Sequence, residues 1–122
     1  MNENIKILIV ENEIIISHHL KLELTQEGYK IRICASGEEA LVIAKEEKPD
    51  LIILDIKLSG KIDGIKTAEK INKSSKIPII FVTGYSRKEL ANRLRKIKFI
   101  AYFEKPFSMP DLKTTISSAL ES

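Results

Sequence analysis

Asp55 closes the apolar run Leu51, Ile52, Ile53 and Leu54. A run that is apolar at every position, rather than at every second one, suits a strand buried on both faces of a sheet. Such a strand should end in a neutral turn, and this one ends in a carboxylate. Other polar groups stand at the same place in the pattern. Glu11 and Asn12 follow the apolar run at residues 5–10, Thr83 ends the run at residues 77–83, and Lys105 follows the run at residues 100–104. Carboxylate and amide oxygens are ligands for hard cations. A carboxylate is also a possible nucleophile, and a hydroxyl and an ammonium are donors to an anion. Each residue is ordinary by itself; the informative feature is the set.

The elements that must carry these groups follow from periodicity. Residues 5–10 are β-branched and almost wholly apolar, which predicts a buried strand. From Glu13 to about Glu27 the spacing turns helical, with Ile16, Leu20 and Leu24 every four residues and Gly28 as the stop. Residues 30–34 alternate apolar and basic, as in an outer strand. Ser36 and Glu39 have capping-box spacing ahead of a helix carrying Ala40, Leu41, Ile43 and Ala44, which ends before Pro49. After the strand at 51–55, a loop closes at Asp63, a suitable cap for a helix from Gly64 to about Asn72 with Ile65, Ala68 and Ile71 inward. Residues 77–83 form the next strand, its proline at the tolerant start. Ser86 to Glu89 reads as a second capping box, opening a helix to about Ile97. A short strand at 100–104 precedes a last helix that starts around Ser108 to Asp111, with Leu112, Ile116, Ala119 and Leu120 on its apolar face.

Five strand–helix units with short connections predict one α/β domain over residues 1–122, its parallel sheet covered by helices on both faces. In such sheets, sites form outside the carboxyl ends of the strands, near the point where strand order reverses. The candidate residues all stand at that edge, where the outer second strand offers only Ala35 and Ser36.

Composition bounds the class. With 122 residues, 43% hydrophobic and 30% charged, the chain can bury a core without staples. No apolar run reaches the ~20 residues needed to span a bilayer, and residues 1–6 lack the pattern of a secretory leader. The single Cys34 fits a reducing, cytoplasmic setting and reads as a small buried hydrophobe. A net charge of +3 does not by itself indicate nucleic acid. The basic residues Arg87, Lys88, Arg93, Arg95, Lys96 and Lys98 read mainly as a solvated face. His18 and His19 have no companions at metal-ligand spacing.

Taken in order, the acidic-side pair after the first strand, Asp55, Asp63-Gly64, Thr83-Gly84 and Lys105-Pro106-Phe107 resemble the receiver domain of response regulators in two-component signalling, over the whole chain. The resemblance implies a flavodoxin-like (βα)5 three-layer sandwich with strand order 2-1-3-4-5. It implies that Asp55 is the phosphoacceptor, attacking the phosphohistidine of a sensor histidine kinase or phosphotransfer protein. It implies Mg2+, held by Glu11, Asn12, Asp55 and the backbone carbonyl of Lys57. Lys105 would pair with Asp55 and then hold a phosphoryl oxygen, Thr83 would donate to another, and Gly84 would leave room. Positioning and charge neutralisation are most of what phosphoryl transfer asks of a protein. Tyr102 matches the aromatic that changes rotamer with Thr83, which would reshape the face of the fourth helix, fifth strand and fifth helix for a downstream protein or a removed output domain. Direct nucleic-acid or membrane binding is not implied.

One position departs from the family. Asn12 stands where a second carboxylate is usual, so Glu11, Asp55 and Lys105 leave one net negative charge where three acids and a lysine leave two. Glu13 is adjacent, but helical geometry is expected to turn it away. The expectation is weaker Mg2+ binding and slow phosphorylation. Lys57 and Tyr85, two residues beyond Asp55 and Thr83, would border the path of the hydrolytic water and lengthen the life of the acyl phosphate.

Bland alternatives exist for each residue: Asp55 and Glu11 as loop acids, Asn12 as a helix cap, Thr83 as a strand end, Lys105 as a surface lysine, Tyr102 as a packed ring. Two other functions compete. A degenerate receiver would act as a phosphorylation-independent interaction module, because of Glu11-Asn12. An enzyme on the same fold, a Mg2+-dependent phosphatase or a nucleotide binder, fits less well. Glu11-Asn12-Glu13 would repel a pyrophosphate where a Gly-rich loop should stand, and no second acid follows two residues after Asp55 to act as general acid. The expected role is therefore a signalling module rather than an enzyme.

Overall fold

The strands β1 (Lys6–Val10), β3 (Leu51–Leu54) and β4 (Ile79–Thr83) are apolar at nearly every position because both their faces are covered. In this computed structural model, which describes residues 4–121, they form the centre of a parallel sheet ordered β2-β1-β3-β4-β5. Residues 1–3, part of the stretch read for a leader, and residue 122 lie outside the described residues. The edges are β2 (Lys30–Cys34), whose alternating pattern leaves Lys30 and Arg32 in solvent, and the half-buried β5 (Ala101–Glu104).

Alternation along each central strand divides the core in two. Leu8, Val10, Ile52, Leu54, Ile79 and Phe81 face α2 (Gly37–Glu47), α3 (Gly64–Ser74) and α4 (Ala91–Leu94). Ile7, Ile9, Leu51, Ile53, Ile80 and Val82 face α1 (Ile14–Gln26) and α5 (Met109–Glu121). The predicted inward residues take these places: Leu20 and Leu24 of α1, Ile65, Ala68 and Ile71 of α3, and Leu112 and Ile116 of α5 are all buried. Burying a side chain of this size contributes about 1.5–3 kcal/mol, so the three layers are held by the same residues that set the periodicity.

Local signals act largely as read. Ser36 Oγ accepts from the Glu39 N–H at 3.1 Å, and Glu39 reaches back to the Ser36 hydroxyl at 3.0 Å rather than to its backbone. Asp63 Oδ1 accepts from the Lys66 N–H at 2.9 Å and caps α3. Gly28 adopts a φ of 97° directly after the α1 terminus. Among the described residues, no helix is long and apolar enough to cross a membrane.

The fourth helix differs from its prediction. The expected capping box at Ser86 to Glu89 does not form, and α4 is one turn of four residues. Glu104 of β5 accepts the Arg87 N–H instead, at 3.2 Å. The Leu90 and Ala91 amides close short turns onto Arg87 and Lys88 carbonyls. The Arg87 N–H, which a capping box would not use, thus ties the start of this segment to β5, and short turns stand where the first helical turn was expected. The fourth strand also starts later than read, at Ile79, because Pro78 supplies only its carbonyl to Ile52, at 3.0 Å.

Candidate functional site

Strand register brings the acids together. Val10 pairs with Leu54, so the next residues, Glu11 and Asp55, emerge side by side at the carboxyl edge of the sheet. The Asp55 N–H donates to the Val10 carbonyl at 2.9 Å and the Glu11 N–H to the Cys34 carbonyl at 3.0 Å, which extends the ladder by one residue under each carboxylate. Both residues are almost fully buried, at 4% exposure. On the other side, the Lys105 N–H donates to the Thr83 carbonyl at 2.8 Å and fixes the lysine at the end of β5.

The Lys105 ammonium donates to three carboxylates at once: Glu11 Oε1, Glu13 Oε1 and Asp55 Oδ2, each at 2.9 Å. An ammonium has three donors, so this one is fully used. The other Asp55 oxygen accepts from the Ile56 N–H at 2.6 Å. Burial pushes the Glu11 carboxyl up to about 7, against the Glu13 N–H and Lys105 that favour its ionised form. Burial also works against the Lys105 ammonium, but its bonds to Glu13, Asp55 and Glu11 outweigh that and hold its pKa above the ordinary lysine range.

Glu13 corrects the sequence reading. Helical spacing turns it away, yet its side chain points into the site and meets Lys105. Glu13 is the N-cap of α1 and has an extended backbone, with φ −86° and ψ 108°, so helical geometry does not govern its side chain. Its N–H donates to Glu11 Oε2 at 3.0 Å, closing the turn that aims it. Oxygens of Glu11, Glu13 and Asp55 lie within 4.8 Å of one another, a spacing that one cation can bridge. The signal that could have found Glu13 is its position two residues past a buried acid, just ahead of the first helical turn. Asn12 lies between them and is exposed. The N-cap role considered for Asn12 falls to Glu13, which makes no side-chain cap bond.

The remaining candidates stand around this centre. Thr83 is fully buried, and its Oγ1 accepts from the Tyr85 N–H at 3.4 Å. Beside Gly84 the space is open: a Cβ there would meet nothing within 4 Å. Lys57 and Tyr85 are exposed and line one cleft with Leu58, Asp63, Leu90 and Arg93. Tyr102 is half-buried and its hydroxyl donates to the Tyr85 carbonyl at 2.8 Å. Burial pushes its phenol up to about 12. Its ring rests against Phe81 and Phe99, with centroids 5.7 and 6.3 Å away. His18 and His19 are exposed. Cys34 is buried, and burial pushes its thiol up to about 12.

The β3–α3 loop, which carries Lys57, is fastened at several points. Ser59 donates its N–H to the Ala35 carbonyl at 3.1 Å, and the Lys61 N–H donates to Glu38 Oε2 at 2.9 Å. Gly64 closes the loop onto the Ile56 carbonyl at 2.7 Å. A Cβ at Gly64 would run into the Asp55 carbonyl oxygen. Arg93 of α4 reaches across to Asp63 with its two terminal guanidinium nitrogens, at 2.7 and 3.1 Å. None of these fastenings was evident from sequence spacing. They also divide the basic cluster: Arg93 pairs with Asp63, Arg87 lies 5.2 Å over the Phe99 ring, and Arg95 bonds Asn92 at 3.1 Å.

Comparison with known proteins gives this arrangement its family. Residues 7–117 match the response regulator receiver domain. The chain is 38% identical over 116 residues to the transcriptional regulatory protein PdtaR of Mycobacterium tuberculosis, covering 94% of this chain and 56% of that protein. It is 36% identical over 121 residues to the probable transcriptional regulator ycf27 of Porphyra purpurea, covering 98% of this chain and 49% of that protein. The chain thus spans about half the length of the curated relatives it matches. Among solved structures, it superposes on the Thermotoga maritima response regulator TrrA, in complex with Mg2+ and BeF, with TM-score 0.85 and 36% identity over 95% of this chain and 99% of that one. A CheY-like receiver domain from Methanospirillum hungatei gives TM-score 0.88 and 31% identity, covering 96% and 94%. With the strand order 2-1-3-4-5 and an acid-and-lysine centre at its carboxyl edge, the chain belongs to the response-regulator receiver domain family.

Proposed function

We propose that this chain is a phosphoacceptor receiver module in a two-component phosphorelay, with Asp55 as the acceptor. The observation that carries the reading is the Asp55 carboxylate, 4% exposed and 2.9 Å from the Lys105 ammonium, with Glu11 on the same ammonium. A buried carboxylate beside a second acid and one fixed cation is poised for a dianionic group that arrives with a metal. In the transfer, an Asp55 oxygen bonds to phosphorus as the phosphohistidine N–P bond breaks, and the imidazole nitrogen keeps the electron pair. Lys105, released in part from the carboxylates, would hold a phosphoryl oxygen. The Thr83 hydroxyl would hold another, and Gly84 leaves the approach clear.

The donor set fits Mg2+: hard carboxylate oxygens within 4.8 Å of one another, at a rim where waters can be retained. Glu11, Asp55 and the Lys57 carbonyl would hold the ion, with the Asn12 amide at its margin. When bound it would neutralise charge between the entering phosphoryl group and the carboxylates. Lys57 and Tyr85, which share a cleft beside the site, would slow entry of the hydrolytic water.

The signal would pass through Thr83, Tyr85 and Tyr102, which are already joined by hydrogen bonds. Moving the Thr83 hydroxyl toward a phosphoryl oxygen would disturb the Tyr85 amide and, through its carbonyl, Tyr102. The readout face is then α4, β5 and α5, facing a downstream protein or an output domain. The donor would be a sensor histidine kinase or a phosphotransfer protein.

The test is incubation with Mg2+ and acetyl phosphate, or with beryllofluoride. The expected result is a hydroxylamine-labile phosphoryl group on the wild type and none on Asp55→Asn. No acyl phosphate and no Mg2+-dependent spectral change would instead indicate a phosphorylation-independent interaction module.

A further inference from the structure

Resting on the receiver reading above, we propose that Glu13 supplies the carboxylate of the Mg2+ site that position 12 lacks in this chain. Asn12 brings no charge and is exposed. Glu13 places an oxygen within 4.8 Å of those of Glu11 and Asp55, in the one group of possible metal-ligating acids found among the described residues. Its direction is built in: the extended cap backbone turns it toward the strand ends, and its own N–H is tied to Glu11 Oε2 at 3.0 Å.

The state of Lys105 says when Glu13 is needed. All three donors of the ammonium are committed, one each to Glu11, Glu13 and Asp55. For a cation to be held among these oxygens, even before a phosphoryl group arrives, one carboxylate must give up its bond to Lys105. Glu13 is the cheapest to release, because its side chain is 60% exposed while those of Glu11 and Asp55 are 3% and 4% exposed. Freed from Lys105, it stands beside the cation with a full negative charge. With Glu13 counted, the site holds three carboxylates and one ammonium. Its net charge then equals that of a site with the usual acidic pair, and the weak Mg2+ binding expected from Asn12 is offset.

The experiment is calorimetric titration of the whole chain with Mg2+, without phosphodonor, for the wild type, Glu13→Gln, Glu13→Asp and the surface control Glu46→Gln. A parallel beryllofluoride titration of the wild type, followed by NMR, tests the underlying receiver reading. Expected are a Mg2+ affinity weakened about tenfold or more in Glu13→Gln, a smaller loss in Glu13→Asp, which keeps the charge, and no change in Glu46→Gln. Adding Asn12→Asp to Glu13→Gln should restore the affinity. Circular dichroism melts verify that each variant is folded. Wild-type affinity in Glu13→Gln, together with a normal beryllofluoride response of the wild type, overturns the Glu13 assignment alone. Absence of both Mg2+ binding and the beryllofluoride response in the wild type overturns the receiver reading and this inference with it.

Discussion

The Tyr102 hydroxyl donates to the backbone carbonyl of Tyr85 at 2.8 Å, so the fifth strand grips the segment that follows the fourth. That grip predicts a separable effect. Tyr102→Phe keeps the ring against Phe81 and Phe99 but loses the bond, and should cost only about 0.5–1.5 kcal/mol. Amide exchange at residues 84–90 should accelerate while the rest of the sheet is unchanged. Hydrogen-exchange mass spectrometry with a urea titration checks both parts. Unaltered exchange at 84–90 would show that the hydroxyl does not hold this segment.

Gly64 lies against the main chain that carries Asp55. Gly64→Ala must push either the α3 terminus or the Asp55 carbonyl aside, and should cost roughly 1–3 kcal/mol as an overpacking change. Because the obstacle is backbone and not a flexible side chain, the loss should be paired with weaker Mg2+ binding. Chemical denaturation and a Mg2+ titration of the same variant measure the two.

Lys105→Met leaves Glu11 and Asp55 buried without their ammonium. The metal-free variant should lose on the order of 2–4 kcal/mol at pH 8. Burial already pushes the Glu11 carboxyl up to about 7, so without Lys105 it binds a proton more readily folded than unfolded, and the loss should shrink toward pH 5. Urea titrations of wild type and variant at the two pH values decide this. A loss independent of pH would mean that the methylene stem of Lys105, and not its charge, is what matters.

The pair of Arg93 and Asp63 gives a prediction in acid. Burial works against the Asp63 carboxylate, but its bonds to Arg93 and to the Lys66 N–H outweigh that and hold it below the ordinary 3.8. A depressed folded value means stability that is present above 3.8 and lost as the pH falls through the folded value. Both partners are substantially exposed, so Arg93→Gln should cost only about 0.2–1 kcal/mol at pH 7. The difference between wild type and variant should vanish once Asp63 is protonated. Thermal melts from pH 7 downward follow it.

The parts of this molecule that sequence disclosed are those where one residue's chemistry decides its fate. Ile52 and Leu54 cannot sit anywhere but in a covered strand, and a carboxylate directly after them must stand at the strand's end. Asp63 and Ser36 cap helices by bonds three residues long. What stayed hidden depends on partners far along the chain or on one torsion. Glu104 holds the Arg87 amide from seventeen residues away, and short turns precede a fourth helix of a single turn. Arg93 finds Asp63 thirty residues away. Glu13 enters the site because the cap residue of α1 is extended, a fact that spacing does not encode.

The many fastenings of the β3–α3 loop have a mechanical meaning. Ser59 ties one wall of the site to the Ala35 carbonyl ahead of α2, Lys61 ties it to the Glu38 carboxylate of α2, and Gly64 closes it onto the Ile56 carbonyl. The opposite wall, from Gly84 to Leu90, is held to β4 and β5 by the Tyr85 N–H on Thr83, the Arg87 N–H on Glu104 and the Tyr102 hydroxyl on the Tyr85 carbonyl. The two walls are thus anchored to different elements, one to α2 and the other to β4 and β5. In the phosphorylation proposed above, an event at Asp55 that moved the second wall would be passed to β4 and β5. On that proposal, the loop that completes the pocket would also be the fixed wall that gives the signal its direction.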